Sequence, residues 1–400
     1  MTETTPCAEA GRRGADVRSD CWVKITPKES GGIDVQLKTK VQVMYGERIR
    51  RLAEDMLPAI GVPNAAVEIE DAGALPFVQM ARIEAAVRRL GVDVGEGYLP
   101  DFEDHAQYPT QRDRFRRSRL YMPGNEPKFM LNAGLHKPDA VILDLEDSVA
   151  VSVKDEARLL VRNALRAMDF KGCERMVRIN QGERGLADLD CIVPHNVHVI
   201  LIPKVEDDDH VEEVDERVQK LLKQHGIERP VYLMPIVESA LGAIKAYKIA
   251  KASPNVCALT IGLEDYTADI GVQRTAKGRE SFWARSQVVN AARAAGVQPI
   301  DTVFSDVADM DGLRASVLEA KSLGFDGKGC IHPRQIQVIH EAFAPSPAEL
   351  DKARKIVVAF EEAQAKGLAA VSLGSKMIDP PVVKRAQRLV ALAKAVGVTE

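Results

Sequence analysis

Two acidic residues stand where a folded chain could do chemistry. Glu238 lies in Pro235-Ile236-Val237-Glu238-Ser239, and Asp265 lies in Gly262-Leu263-Glu264-Asp265-Tyr266. Each follows a short apolar run, Val231 to Ile236 and Val256 to Ile261, that reads as a buried strand. A parallel strand is dry on both faces, so a carboxylate just past its end emerges at a rim. Barrel enzymes keep their chemistry on that rim. Two carboxylates on neighbouring strand ends, with few cations near them in sequence, fit a hard divalent cation.

Other strand ends add to the set. The second candidate strand runs into Asp144-Leu145-Glu146-Asp147-Ser148, and the third ends Arg178-Ile179-Asn180. The fourth continues into Pro203-Lys204, and Asp301 closes the seventh. Singly, each has an ordinary reading: Asp147 or Ser148 caps a helix, Lys204 is solvated, and Arg178 sits in a structural ion pair. Their convergence from different strands on one face favours a site. Mg2+ takes one or two protein carboxylates and keeps positions for water and substrate oxygens. Mn2+ also suits oxygen ligands, whereas zinc would recruit His or Cys. His332, after the eighth strand, either touches substrate or, the commoner case, is a loop histidine bonded to backbone. No Gly-x-Ser-x-Gly elbow is present.

The elements that must position these groups follow a strand–loop–helix rhythm that begins after Arg114. Candidate strands are Arg119–Met122, Ala140–Leu143, Arg175–Ile179, Val197–Ile202, Val231–Ile236, Val256–Ile261, Gln298–Val303 and Gly329–Ile331. Amphipathic stretches such as Lys154–Met168 and Glu212–Gln224 lie between most of them. Eight strands with helical crossovers predict an α/β fold, a (β/α)8 TIM barrel over residues 114–345. A doubly wound open sheet is the alternative, but no Gly-x-Gly-x-x-Gly follows an early strand. Residues 346–400 come after the eighth strand and form a C-terminal helical lid. Ahead of the barrel, 1–20 read as a disordered tail, 21–92 as a small α+β domain and 93–113 as a linker rich in Gly, Pro and acids.

Composition narrows the classes. The 400 residues are 46% hydrophobic and 28% charged, as in soluble globular proteins. Lys plus Arg is 54 against 58 for Asp plus Glu, a net charge of −4, which argues against nucleic acid as the main partner. No apolar run approaches membrane-spanning length, and residues 1–20 lack a signal-peptide core. Six scattered cysteines without a CxxC fit a reduced, cytoplasmic setting.

From about Arg116 onward the chain is similar to the citrate lyase beta subunit and its relatives, the malyl-CoA and citramalyl-CoA lyases of the HpcH/HpaI aldolase superfamily. The motifs that carry this are Arg117-Ser118-Arg119-Leu120-Tyr121-Met122-Pro123-Gly124, Leu143-Asp144-Leu145-Glu146-Asp147-Ser148, Val177-Arg178-Ile179-Asn180, Pro203-Lys204, Val237-Glu238, Glu264-Asp265, Gly327-Lys328 and Lys376-Met377-Ile378-Asp379. The resemblance implies Mg2+ on Glu238 and Asp265, with Arg117, Glu146, Arg178 and Glu238 facing substrate. It further implies that Arg178 is catalytic and that Asp379 is an acid/base delivered from a neighbouring subunit of a homo-oligomer, a trimer or hexamer. The implied reaction is cleavage of a 3-hydroxyacyl thioester of the citryl, malyl or citramalyl type to an acetyl thioester and a 2-oxo acid. A thioesterase, a malate- or citramalate-type synthase, or a non-catalytic subunit of a lyase complex are the alternatives. Residues 21–90 resemble the citrate lyase acyl-carrier (gamma) subunit through Gly32-Ile33-Asp34-Val35-Gln36-Leu37-Lys38 and Ala81-Arg82-Ile83-Glu84-Ala85-Ala86-Val87. That carrier bears a covalent CoA-like prosthetic group on a serine two residues before an aspartate. With Asp20 as the aspartate, Arg18 fills the serine position. Either Ser19 is the attachment point or the domain is structural. A citrate-lyase-type partner subunit is a further implication.

Overall fold

The computed structural model of the chain describes residues 6–365, 371–373 and 376–395. Four strands build the first domain: β1 (Ala8–Gly11), β2 (Cys21–Pro27), β3 (Ile33–Thr39) and β4 (Ala65–Asp71), in the order β1-β2-β4-β3. One face of this sheet is covered by α1 (Gln42–Ala59) and α2 (Pro76–Arg89), and β4 alternates buried and more exposed residues accordingly. The expected disordered tail is corrected here. Ala8–Gly11 pairs antiparallel with β2, and Gly11 N–H donates to Glu156 Oε2 at 2.8 Å. Four residues are too few for a period to show in sequence.

The second unit runs β5 (Ser118–Pro123), α3 (Pro127–Met130), β6 (Ala140–Asp144), α4 (Lys154–Ala167), β7 (Glu174–Arg178), α5 (Gly182–Ile192), β8 (Val199–Ile202) and α6 (Asp208–Gln224). It continues β9 (Tyr232–Val237), α7 (Ala240–Lys251), β10 (Ala258–Ile261), α8 (Leu263–Asp269), α9 (Phe282–Ala295), β11 (Gln298–Asp301), α10 (Met310–Leu323), β12 (Gly327–Cys330) and α11 (Arg334–Phe343). All eight strands are parallel, and β12 pairs with β5 to close the barrel. The apolar runs form strands because both of their faces are covered: every residue of β6 and β8 is buried. Ile142, Met176, Leu201, Met234 and Ile300 fill the interior, so the barrel is a packed core and not a pore.

The N-terminal end of the barrel is sealed by ion pairs and by the 93–113 segment. Arg116 and Glu174 are fully buried and 2.6 Å apart, and Arg112 donates to the Val256 carbonyl. Beyond the barrel come α12 (Pro347–Ala365), β13 (Val371–Leu373), β14 (Lys376–Ile378) and α13 (Pro380–Ala395). Helices α12 and α13 pack through Ile356, Val383 and Ala386. Among the described residues, no helix is long and apolar enough to cross a membrane.

The two domains are welded along α2 and α4. Arg82 is 1% exposed; it grips both oxygens of Asp20 at 2.9 Å and reaches Glu156 of α4 at 2.9 Å. Arg162 of α4 binds Glu84 of α2, and Asn163 donates to the Phe77 carbonyl. Removing one partner of such a buried pair leaves an uncompensated charge, which makes the junction costly to break.

Candidate active site

At the C-terminal ends of the strands lies a cavity of about 420 Å³, lined by Tyr121, Asp144, Arg178, Glu238, Gly262 and Asp265, among others. Its floor is organised by Asp144, the last residue of β6. Arg178, ending the adjacent β7, donates from Nε and Nη2 to the two Asp144 oxygens, each at 2.7 Å. This fork-to-carboxylate geometry fixes the guanidinium plane. The backbone N–H groups of Glu146 and Ser148 also point at Asp144, which explains the turn in Asp144-Leu145-Glu146-Asp147-Ser148. Burial would raise the Asp144 carboxyl, but the Arg178 bonds hold it below its ordinary value.

Four more carboxylates surround this clamp. Glu146 Oε2 lies 2.9 Å from Arg178 Nη1 yet lacks hydrogen-bond geometry, so a charge contact remains with an orphaned buried oxygen. Burial also raises the Glu146 carboxyl. Glu238 is 5% exposed, and burial pushes its carboxyl up to about 8. The Lys204 N–H opposes this by donating to Glu238 Oε1 at 2.7 Å, whereas the charge of Asp265 adds to it. Asp265, in the first turn of α8, is 43% exposed. Lys204 Nζ sits among Glu146, Asp147 and Asp265, at 3.3, 3.5 and 3.7 Å. Its backbone takes φ +50°, a strained value for a lysine. Gly262 is required for closeness: a Cβ there would meet Glu238 Oε2 at 2.4 Å.

Five carboxylates (Asp144, Glu146, Asp147, Glu238, Asp265) thus meet two cations, Arg178 and Lys204. The excess negative charge, the orphaned Glu146 oxygen and the raised Glu238 all fit a divalent cation held by oxygen ligands. Among the described residues no group of three or more His, Cys, Asp or Glu could hold a metal ion; Mg2+ needs only one or two protein carboxylates, with water and substrate oxygens for the rest.

A second cavity of about 1000 Å³ opens beside the mouth and shares Tyr121, Met122, Pro123 and Ile331 with it. Lys128, Lys137 and Arg334 line it with Phe129, which is 48% exposed. His332 is here too, its Nδ1 accepting from Arg334 N–H at 3.2 Å, as expected of a backbone-bonded loop histidine.

The fold gathers Glu146, Arg178, Glu238 and Asp265, and it separates the other expected site residues. Arg117 is a correction. It precedes β5 at the barrel's other end, about 20 Å down the strand from the mouth, and its guanidinium is held by both Asp139 oxygens. Arg119, two residues later, lines the mouth instead, with Nη2 donating to Thr260 Oγ1 at 3.0 Å and its buried Nε without a partner among the described residues. Sequence reading took it for part of a core strand. Asp301 is also removed from the site, locked between Lys328 at 2.7 Å and Arg285 at 3.1 Å. Asp379 is exposed and accepts from the Val382 N–H at 3.3 Å, capping α13. It does not line the mouth of its own barrel, and Arg388 further along α13 pairs with Asp326, ahead of β12 at the opposite end. Lys376 and Met377 of the same motif have side chains outside the described residues. Ser19 lies at the junction side of the first domain, with φ +59° and its N–H on the Ala72 carbonyl.

Comparisons with known proteins agree with this architecture. Residues 117–333 match the HpcH/HpaI aldolase/citrate lyase family, and residues 11–90 match the malonate decarboxylase delta subunit. The citrate lyase subunit beta of Leuconostoc mesenteroides subsp. cremoris is 38% identical over 71% of this chain and 95% of its own length. The mitochondrial citramalyl-CoA lyase of Mus musculus is 36% identical over 82% of this chain and 96% of its own. Among solved structures, the protein CitE from Mycobacterium tuberculosis in complex with magnesium, acetoacetate and coenzyme A superposes with a TM-score of 0.58 at 30% identity, covering 71% of this chain and all of that one. The parallel barrel, the acid-rich mouth and these matches make the chain a member of the HpcH/HpaI aldolase/citrate lyase family.

Proposed function

We propose that this chain is a Mg2+-dependent carbon–carbon lyase that cleaves a 3-hydroxyacyl thioester into an acetyl thioester and a 2-oxo acid. The observation that carries this reading is the pairing of Glu238 and Asp265 beside an arginine already oriented by Asp144. Glu238 and Asp265 would hold the cation, which supplies Lewis-acid polarisation of the hydroxyl and carboxylate oxygens that chelate it.

The chain's own residues do the rest. Cleavage leaves negative charge on the thioester oxygen, and Arg178 is the fixed cation that stabilises it. Asp144 keeps the guanidinium in one plane, so little reorganisation accompanies the charge shift. Lys204 balances Glu146, Asp147 and Asp265, and holds Glu238 in place through its N–H. Asp379 would protonate the enolate carbon, or take that proton in the condensation direction. Because Asp379 is absent from its own chain's mouth, a neighbouring subunit of a homo-oligomer would deliver it. The cavity beside the mouth, apolar at Phe129 and basic at Lys128, Lys137 and Arg334, suits the arm and phosphates of a CoA-like thioester.

The test is to incubate the purified chain and Mg2+ with malyl-CoA, citramalyl-CoA and citryl-CoA, and to follow 2-oxo acid and acetyl-CoA together. Release of free CoA without a 2-oxo acid would mark a thioesterase instead. For Asp379, mixing inactive Asp379→Ala and Glu238→Ala chains should restore activity in mixed oligomers. No restoration counts against delivery in trans.

A further inference from the structure

The junction between the domains contains a cleft of about 970 Å³, large enough for a nucleotide-sized molecule. It lies between α2, with Arg88 and Arg89, and the barrel helices α4 and α5. Helix α4 places Arg158, Arg162 and Arg166 on successive turns of one face, about 6 Å apart, and all three line the cleft.

The carboxylates that balance these five arginines are unevenly spread. Arg158 has Asp188, Arg89 has Glu156, and Arg88 and Arg162 share the single carboxylate of Glu84. Among the described residues Arg166 has no carboxylate within ion-pair distance, although the charge of Asp101 acts on it: its Nε donates to the Pro100 carbonyl and its Nη1 meets His195 Nδ1. Of the acids that line the cleft, Asp190 already gives both oxygens to Arg217, outside it. Glu96 and Asp155 remain, and Asp155 stands 3.9 Å from Arg158. Arg166 Nη2 and Arg88 Nη1 donate to no acceptor among the described residues. The field agrees with this count. His195 is pushed down to about 3 by burial and by Arg162, Arg166, His225 and Arg229.

We propose that this cleft is a binding site for a phosphate-bearing small molecule, held by the free guanidinium donors of Arg88 and Arg166. A phosphate group offers several acceptor oxygens and more than one negative charge, which suits two arginine forks facing one space. A bound anion would tie α2 to α4 through ligand as well as through Glu84. The site shares no lining residue with the mouth and is independent of the lyase reading.

Titration calorimetry of the full chain tests it, in chelator and without substrate, using pyrophosphate and adenosine diphosphate as separate probes. Saturable binding that depends on Arg88 and Arg166 is expected. Arg166→Gln should weaken it by roughly tenfold or more, the loss of one charge-assisted hydrogen bond, and Arg88→Gln by a similar factor. Asp265→Ala should bind as the parent does. Tighter binding of adenosine diphosphate would identify a nucleotide-like ligand, and equal binding a free phosphate group. Arg166 is partly buried, so the more exposed Arg88→Gln carries the test should Arg166→Gln fail to fold. Absence of saturable binding in the parent chain overturns the proposal. So does undiminished binding in folded variants, or binding that Asp265→Ala abolishes.

Discussion

The mouth of the barrel and the junction between the domains hold charge of opposite sign under similar burial. At the mouth, five carboxylates meet Arg178 and Lys204, and burial raises Glu238 to about 8. At the junction, arginines gather around few free acids, and burial with neighbouring cations lowers His195 to about 3. Where the junction is closed, at Arg82 between Asp20 and Glu156, each charge has its partner and the pair serves as a weld. Where charge is left over, a partner from solution is the physical completion. One helix serves both regions. Lys154 at the start of α4 donates to the Leu145 and Glu146 carbonyls that shape the mouth, whereas Arg158, Arg162 and Arg166 further along it face the cleft.

If the mouth is chemical and the weld is structural, substitutions should separate activity from stability. Arg178→Lys has the largest expected effect. A lysine cannot occupy both Asp144 oxygens and Glu146 together, so kcat should fall about a hundredfold, or about 2.7 kcal/mol, with a smaller change in KM and an unchanged melting temperature. Steady-state kinetics with calorimetric melting checks it. A full-rate Arg178→Lys chain would mean that the fork geometry at the mouth is incidental.

Next in size is Glu156→Gln. This carboxylate serves Arg82, Arg89 and the Gly11 N–H. Its loss should cost about 2 kcal/mol in urea unfolding while leaving kcat near the parent value. A Glu156→Gln chain with parental stability but a collapsed kcat would erase the contrast between the regions.

A third contrast is in pH, and at neutral pH it is silent. The folded His195 titrates near 3, below its ordinary 6.5. Between those values the unfolded chain binds a proton that the folded chain refuses, so stability falls as pH drops through that window. His195→Gln should therefore flatten the loss of stability between about pH 6.5 and 4. His198, pushed down to about 3 in the same way, keeps part of the slope. A slope unchanged by His195→Gln would show that the junction field does not act on this ring.

Much of this was legible before folding. The apolar runs located most of the barrel strands, because a strand buried on both faces needs no alternation to be seen, whereas β12, Gly327-Lys328-Gly329-Cys330, reads two residues late. Glu238, Asp265, Glu146 and Arg178 were readable as strand-end groups, since their distance past an apolar run sets their height on the rim. Arg117 failed for the same reason in reverse. Its motif is plain, but its depth depends on where β5 begins, and closure of the barrel decides that. Arg119 reads only as the start of a core strand, because Thr260 and Met234, which receive it, come from strands more than a hundred residues away. Asp301 looked like a rim acid until Lys328 and Arg285 claimed it. The arginine ladder of α4 is visible at a spacing of four, yet nothing local says that α2 faces it or that Glu84 is shared.

The central claim is that Glu238 and Asp265 hold a catalytic Mg2+. The direct measurement is titration of Mg2+ into metal-stripped parent and Asp265→Ala chains, with cleavage assayed on the same samples. The account predicts one Mg2+ per parent chain and restored cleavage, and neither in a folded Asp265→Ala chain. Full activity of Asp265→Ala in chelator-treated buffer would contradict it.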